Sequence, residues 1–180
     1  MSLVRTSETH PLRIDALTLP GGGQIGITFC PGKHQRDAMT GRWKRDLQVD
    51  LKSIQMWGAS AVITLIEDHE FAELSVQGLG DMVRALGMTW HHLPIPDMSV
   101  PDPGWEQRWQ GVSPSMHALL DHGGQLLIHC KGGLGRAGTV AARLLIERGY
   151  ALVDAMARVR AVRTGAIENA LQERYLRGPV

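Results

Sequence analysis

Short apolar runs, each bounded by glycine, proline or polar residues, recur along the chain: Ile25–Phe29, Ala61–Ile66, Thr89–Leu93 and Leu126–His129. Their length and their content of β-branched residues and leucine predict buried strands. The segments between them carry a helical period. Leu47, Leu51 and Ile54 recur at i, i+4 and i+7, with Asp46 placed as N-cap and Gly58 as stop. Gly78–Leu86 predicts a short helix ended by Gly87. Trp105, Trp109, Val112, Met116 and Leu119 line one face of a longer helical stretch, in which Pro114, preceded by Ser113, predicts a kink or a restart. Ala137–Arg148 ends at Gly149, Leu152–Arg163 near Gly165, and Ile167–Arg177 at Gly178-Pro179. Gly21-Gly22-Gly23 marks a turn. Strands alternating with helices predict an α/β fold: a mostly parallel central sheet flanked by helices, with ligands beyond the carboxyl ends of the strands.

Composition narrows the class. With 180 residues, 43% hydrophobic and 21% charged, the chain suits one globular domain over 1–180 with a core at about 12–178. No apolar run approaches the roughly 18 residues of a membrane span, and Met1–His10 is polar with no apolar stretch of the secretory kind. A cytoplasmic protein with no membrane partner is expected. The net charge of +1 points away from nucleic acid as a ligand. The clusters Arg42/Lys44/Arg45 and Arg158/Arg160/Arg163 read as solvated faces. Two cysteines, Cys30 and Cys130, make no disulfide framework, and the absence of CxxC and HExxH points away from a structural zinc site.

The chemistry concentrates in His129-Cys130-Lys131-Gly132-Gly133-Leu134-Gly135-Arg136-Ala137-Gly138-Thr139. A buried strand delivers a cysteine into a loop with three glycines, and the loop runs into a helix beginning near Arg136. Glycines let backbone N–H groups turn inward, and inward N–H groups at a helix N-terminus hold an anion. Arg136 adds a planar fork for two phosphate oxygens. The same positive field favours the thiolate of Cys130, a nucleophile aimed at phosphorus from the floor of the cradle.

His-Cys-x5-Arg resembles the signature of the protein tyrosine phosphatase superfamily, and His129–Thr139 resembles its phosphate-binding loop. The wider pattern is similar to the small dual-specificity branch of the kinase-associated phosphatase type. Phe29-Cys30-Pro31-Gly32-Lys33, His92-Leu93-Pro94-Ile95-Pro96-Asp97 and Gly165-Ala166-Ile167-Glu168 carry that likeness from about residue 25 to the end. The resemblance implies Cys130 and Arg136 as catalytic residues and Lys131, Gly132, Gly133, Leu134, Gly135 and Arg136 as the substrate-binding loop. It makes Asp97 the general acid, with Asp102 in reserve on the same Pro-rich stretch. It assigns His129 to orienting the loop and Gln172 to positioning the attacking water, and it requires no metal or cofactor. Where many members carry Ser or Thr after the arginine, this chain has Ala137. Thr139 lies two positions on, and the second chemical step is expected to be slower than in a hydroxyl-bearing relative.

The implied reaction is hydrolysis of phosphotyrosine, with phosphoserine and phosphothreonine admitted if the pocket is shallow, on a phosphorylated protein or a small phosphoester. Phosphoinositides, inositol phosphates and RNA 5′-triphosphates remain as other substrates for such a loop, and a phosphoprotein-binding module without turnover as another class. Glu67-Asp68-His69-Glu70 falls at the active-site rim, selecting substrate, tuning Arg136 or capping a helix N-terminus. His91 and His92 alternate across a strand and cannot share a metal. Trp105 and Trp109 read as core. Cys30 reads as a buried thiol, with a protective disulfide to Cys130 as the alternative.

Overall fold

The computed structural model describes residues 4–178; Met1–Leu3 of the polar N-terminal stretch and Pro179 of the last helix stop lie outside the described residues. In chain order the elements are β1 (Val4–Arg5), β2 (Asp15–Thr18), β3 (Gln24–Thr28), β4 (His34–Ala38), β5 (Gly41–Lys44), α1 (Leu47–Trp57), β6 (Ala59–Thr64), α2 (Asp68–Glu73), α3 (Leu79–Ala85), β7 (Thr89–His92), α4 (Pro103–Asp121), β8 (Gln125–His129), α5 (Gly135–Glu147), α6 (Leu152–Val162) and α7 (Ala170–Leu176). The central sheet has the order β2-β3-β8-β6-β7. β3, β8, β6 and β7 run parallel, and β2 joins antiparallel to β3 through the turn at Gly21–Gly23, where the Leu19 N–H donates to the Gly23 carbonyl. A small second sheet, β1-β5-β4, was not foreseen.

Period-two alternation splits the core into two layers. Leu126 and Ile128 of β8, with Ala61 and Ile63 of β6, face α4, α5 and α6. Leu127 and Val62 face α1 and α3. β8 is therefore covered on both sides, and its carboxyl end opens at the middle of the sheet edge, where a parallel sheet presents its ligand site.

The helix ends follow the expected chemistry where a cap exists. The Asp46 side chain accepts the Val49 N–H, and Gly58 ends α1 at φ 102°. α4 departs from expectation. It continues through Pro114 as one helix, because Trp105, Trp109, Met116 and Leu120 on both sides of the proline are buried and packing outweighs the one missing N–H bond. Trp105 and Trp109 stack at 5.1 Å between ring centroids, both in the core. α7 begins at Ala170 instead of Ile167, since Ile167 has φ 58° and the Asn169 side chain accepts the Gln172 N–H as cap.

Candidate active site

The loop from Cys130 to Leu134 is held by its carbonyls. The Lys131 carbonyl accepts the Cys30 N–H and Lys33 Nζ, both at 3.2 Å. The Gly132 and Gly133 carbonyls accept Arg163 Nη2 and Nε at 3.1 and 2.9 Å. The Leu134 carbonyl accepts the Gly138 and Ile167 N–H groups at 2.9 and 3.3 Å. In a trans peptide the carbonyl and the next N–H point to opposite sides. Four carbonyls tied outward therefore turn the N–H groups of Gly132, Gly133, Leu134 and Gly135 inward. The Gly133 N–H lies 3.2 Å from Cys130 Sγ. Gly133 has φ 69°, and a Cβ there would sit 2.4 Å from the Thr28 carbonyl, so only glycine fits. At Gly135 a Cβ would meet the Glu168 carboxylate and the Gln172 amide.

Arg136, the second residue of α5, is buried. Its Nη1 donates to Glu70 Oε2 at 2.6 Å and to the Ile95 carbonyl at 3.1 Å. Its Nη2 donates to Glu70 Oε1 at 3.0 Å and lies 3.1 Å from Asp97 Oδ1. A guanidinium has five N–H donors. Three are fixed by Glu70 and Ile95, and one faces Asp97. The Nε–H has no partner among the described residues. An incoming phosphate can take Nε–H directly and the Nη2–H in place of Asp97. Burial works to raise the Glu70 carboxyl, but hydrogen bonds from Arg136 and from the Glu67 N–H outweigh it and hold Glu70 below the usual carboxylate range.

His129 is fully buried, and burial pushes its imidazole down to about 4, so the ring is neutral at pH 7. Its Nδ1 lies 3.4 Å from the Cys130 carbonyl and its Nε2 2.8 Å from Thr64 Oγ1. A carbonyl only accepts, which puts the proton on Nδ1 and makes Nε2 the acceptor of the Thr64 hydroxyl. Trp90 Nε1 donates to that same hydroxyl at 2.8 Å. A chain of donors thus runs from β7 through β6 to the base of the loop.

Asp97 is half-exposed and lines the same cavity as Cys130. Its neighbour Met98 has φ 60°, and the segment is moored to the start of α7, where Asn169 Nδ2 donates to the Met98 carbonyl at 2.9 Å. Gln172 is buried. Its Oε1 accepts the Glu168 N–H at 2.9 Å and its Nε2 approaches the Ser99 carbonyl at 3.4 Å. It braces the Asp97 segment, while Glu168 is the residue of this stretch that lines the catalytic cavity. Partial burial and then the neighbouring Asp97 shift the Glu168 carboxyl upward. Thr139 donates its hydroxyl to the Gly135 carbonyl at 2.7 Å, one turn back along α5, and so is engaged within its own helix. Asp102 caps α4 by accepting the Trp105 N–H at 2.7 Å.

Cys130, Arg136, Lys131, Asp97 and Leu134 come together around a cavity of about 710 Å³, with Phe29 and Trp43 on its wall. Both cysteines are free, and Cys30 is completely buried; burial pushes its thiol up. The basic clusters are corrected in part. Arg45 is a buried ion-pair partner of Asp50, with Nε to Oδ2 at 2.8 Å, and Arg163 clamps the loop instead of facing solvent. Of the rim acids, Glu70 pairs with Arg136 and also caps its helix by accepting the Glu67 N–H at 2.7 Å. Thr64, Trp90, Lys33 and Arg163 escaped the sequence reading. Lys33 is buried between Phe29 and Trp43, 5.0 and 4.9 Å from their ring centroids, and burial pushes its amine down to about 8. Its only sequence signal was its place in Cys-Pro-Gly-Lys.

The comparisons with known proteins agree with this geometry. The family model described as "Polymorphic toxin system, DSP-PTPase phosphatase" matches residues 38–150. Cyclin-dependent kinase inhibitor 3 of Rattus norvegicus is 31% identical over 159 residues, covering 84% of this chain and 69% of that protein. Among solved structures, kinase associated phosphatase with its catalytic site cysteine substituted by serine superposes with a TM-score of 0.80 at 27% identity, covering 92% of each chain. Tk-PTP in its active form gives 0.67 at 27% identity, covering 91% of this chain and 94% of that one. A match over most of the chain, at this level of identity and on the same fold, makes the protein a member of the dual-specificity phosphatase branch of the protein tyrosine phosphatase superfamily.

Proposed function

We propose that the protein hydrolyses phosphotyrosine in phosphorylated proteins through a phosphocysteine on Cys130. The observation that carries this reading is the loop whose outward carbonyls turn its N–H groups inward, that of Gly133 lying 3.2 Å from Cys130 Sγ. In the first step the Cys130 thiolate attacks phosphorus, the P–O ester bond breaks, and protonated Asp97 gives its proton to the leaving oxygen. In the second step Asp97, now a carboxylate, takes a proton from water, the water oxygen attacks phosphorus, and the S–P bond breaks to release phosphate and the thiolate. Arg136 and the inward N–H groups hold the equatorial oxygens throughout. The aromatic and apolar wall of Phe29, Trp43 and Leu134 favours an aryl leaving group over the short chains of serine and threonine.

With alanine at 137 and the Thr139 hydroxyl engaged at Gly135, no side-chain hydroxyl of this turn assists the departing thiolate, which makes breakdown of the intermediate the slow step. Acid quench of the enzyme mixed with a phosphotyrosine peptide, followed by mass spectrometry, is expected to show a phosphate on the peptide containing Cys130, preceded by a burst of dephosphorylated product. Ala137→Ser is expected to shrink the burst and raise the steady-state rate. Turnover without a burst and without phosphate on Cys130 would contradict this order of steps.

A further inference from the structure

Beside the catalytic cavity lies a second cleft of about 950 Å³. It runs along β4, an edge strand of the small sheet, and its far wall is Glu73–Ser75. Lys131, the residue after the nucleophile, lines both cavities, so the cleft leads away from the reacting phosphate.

Its charge is one-sided. Arg36, Arg42 and Lys44 are exposed and line the cleft together with Lys131. None of the four forms an ion pair among the described residues, whereas Arg45, Arg136, Arg143, Arg148, Arg160 and Arg163 all do. The opposing acids of the cleft are Asp37 and Glu73, and Glu73 is shared with His69 at 3.8 Å. Four cations without an ion pair among the described residues thus lie on a face that adjoins the catalytic pocket, against two acids. Arg42 and Lys44 flank the buried Trp43, so both point to the outer face of β5, roughly 7 Å apart along the strand. That is the spacing of alternate side chains on an extended peptide. The outer edge of β4 is held at its start, where the His34 N–H donates to the Leu74 carbonyl, and beyond that bond it has no strand partner, so such a peptide can lie beside it.

We propose that this cleft receives an acidic, extended segment of the phosphoprotein substrate, flanking the residue whose phosphate enters the Cys130 loop. The proposal rests on the phosphoprotein reading above and adds a sequence preference to it.

The test compares two phosphotyrosine peptides, one with Asp at alternate positions on both sides of the phosphoresidue and one with Asn in their place. Each is assayed on the parent and on the triple variant Arg36→Ser/Arg42→Ser/Lys44→Ser, with an aryl phosphate as a substrate too small to reach the cleft. The parent is expected to favour the Asp peptide in kcat/KM by about tenfold at low salt, less at high salt. The triple variant is expected to lose that preference while hydrolysing the aryl phosphate at the parental rate. Equal use of the two peptides by the parent would overturn the proposal, as would a preference that survives the substitutions or an equal fall on the aryl phosphate. Hydrolysis of the aryl phosphate with neither peptide used would overturn the phosphoprotein reading as well. A triple variant that loses activity only on a 5′-triphosphorylated RNA would assign the cleft to nucleic acid and overturn it too.

Discussion

At Glu70 one buried carboxylate meets donors from two parts of the fold, the Glu67 N–H of its own helix turn and the guanidinium of Arg136. Local capping thereby fixes the counter-charge that aims the phosphate fork. Glu70→Gln keeps the shape but leaves Arg136 without its buried anion, a loss on the order of 3 kcal/mol for a pair of this kind. The pH dependence has a definite sign. Native Glu70 stays ionised below the ordinary value of 4.5, where an unfolded chain already binds the proton. The pair's contribution is therefore complete above 4.5 and disappears as pH falls through the lower native value. Urea unfolding of parent and variant is expected to differ by a constant amount between pH 8 and 5.5, with the gap closing below 4.5. A gap that persists undiminished at pH 3 would contradict the assignment. In the sequence, Glu70 was legible only as part of an acidic cluster after a strand. Nothing local distinguished it from Glu67 or Asp68, because its role depends on Arg136, 66 positions away.

At the scale of elements, the catalytic loop depends on what α6 and its C-terminal end supply. Arg163 binds two loop carbonyls and Asp15 of β2 at once. Arg163→Met removes all three contacts; Asp15→Asn removes only the charge on the sheet side. If Arg163 positions the loop, the methionine variant loses roughly ten- to a hundredfold in kcat/KM on an aryl phosphate and binds inorganic phosphate more weakly, while Asp15→Asn stays within a few-fold. Equal losses for both variants, tracking thermal stability alone, would reduce Arg163 to a structural ion pair. The elements themselves were unevenly legible. β3, β6 and β8 announced themselves as buried apolar runs and β7 as a strand, to within two residues at their ends; β7, at the sheet edge, is only half-buried instead of buried as expected. β4 and β5 did not, since His34–Ala38 and Gly41–Lys44 have no repeating apolar face and pair only within the small sheet. The six-residue α2 was too short for its period to show. Pro114 misled in the other direction, because its local cost is overridden by tryptophans that pack on the sheet.

Over the whole molecule, chemistry and topology meet at one place. The parallel sheet ends β8 at its centre, the loop after β8 carries Cys130, and the pieces that complete the site arrive from β6, α2, the Asp97 segment and α7. The candidate nucleophile Cys130, Arg136 and the proposed phosphate loop stand out in the sequence because they occupy eleven consecutive residues, His129–Thr139. The bracing by Thr64, Trp90, Lys33 and Arg163, and the place of Glu168 at the cavity wall beside the buried Gln172, depend on tertiary contacts that no spacing encodes. Among the described residues, no helix is long and apolar enough to cross a membrane.

In the proposed reaction the Cys130 thiolate, not a metal-activated water, attacks phosphorus, with Asp97 as proton donor. The measurement that tests it most directly is phosphate release from an aryl phosphate in the presence of EDTA by the parent, Cys130→Ser and Asp97→Ala proteins. The expected result is an EDTA-resistant parent, no turnover with serine at 130, and a rate reduced about 10²- to 10⁴-fold with alanine at 97. Activity that EDTA abolishes, or that survives Cys130→Ser, would contradict it.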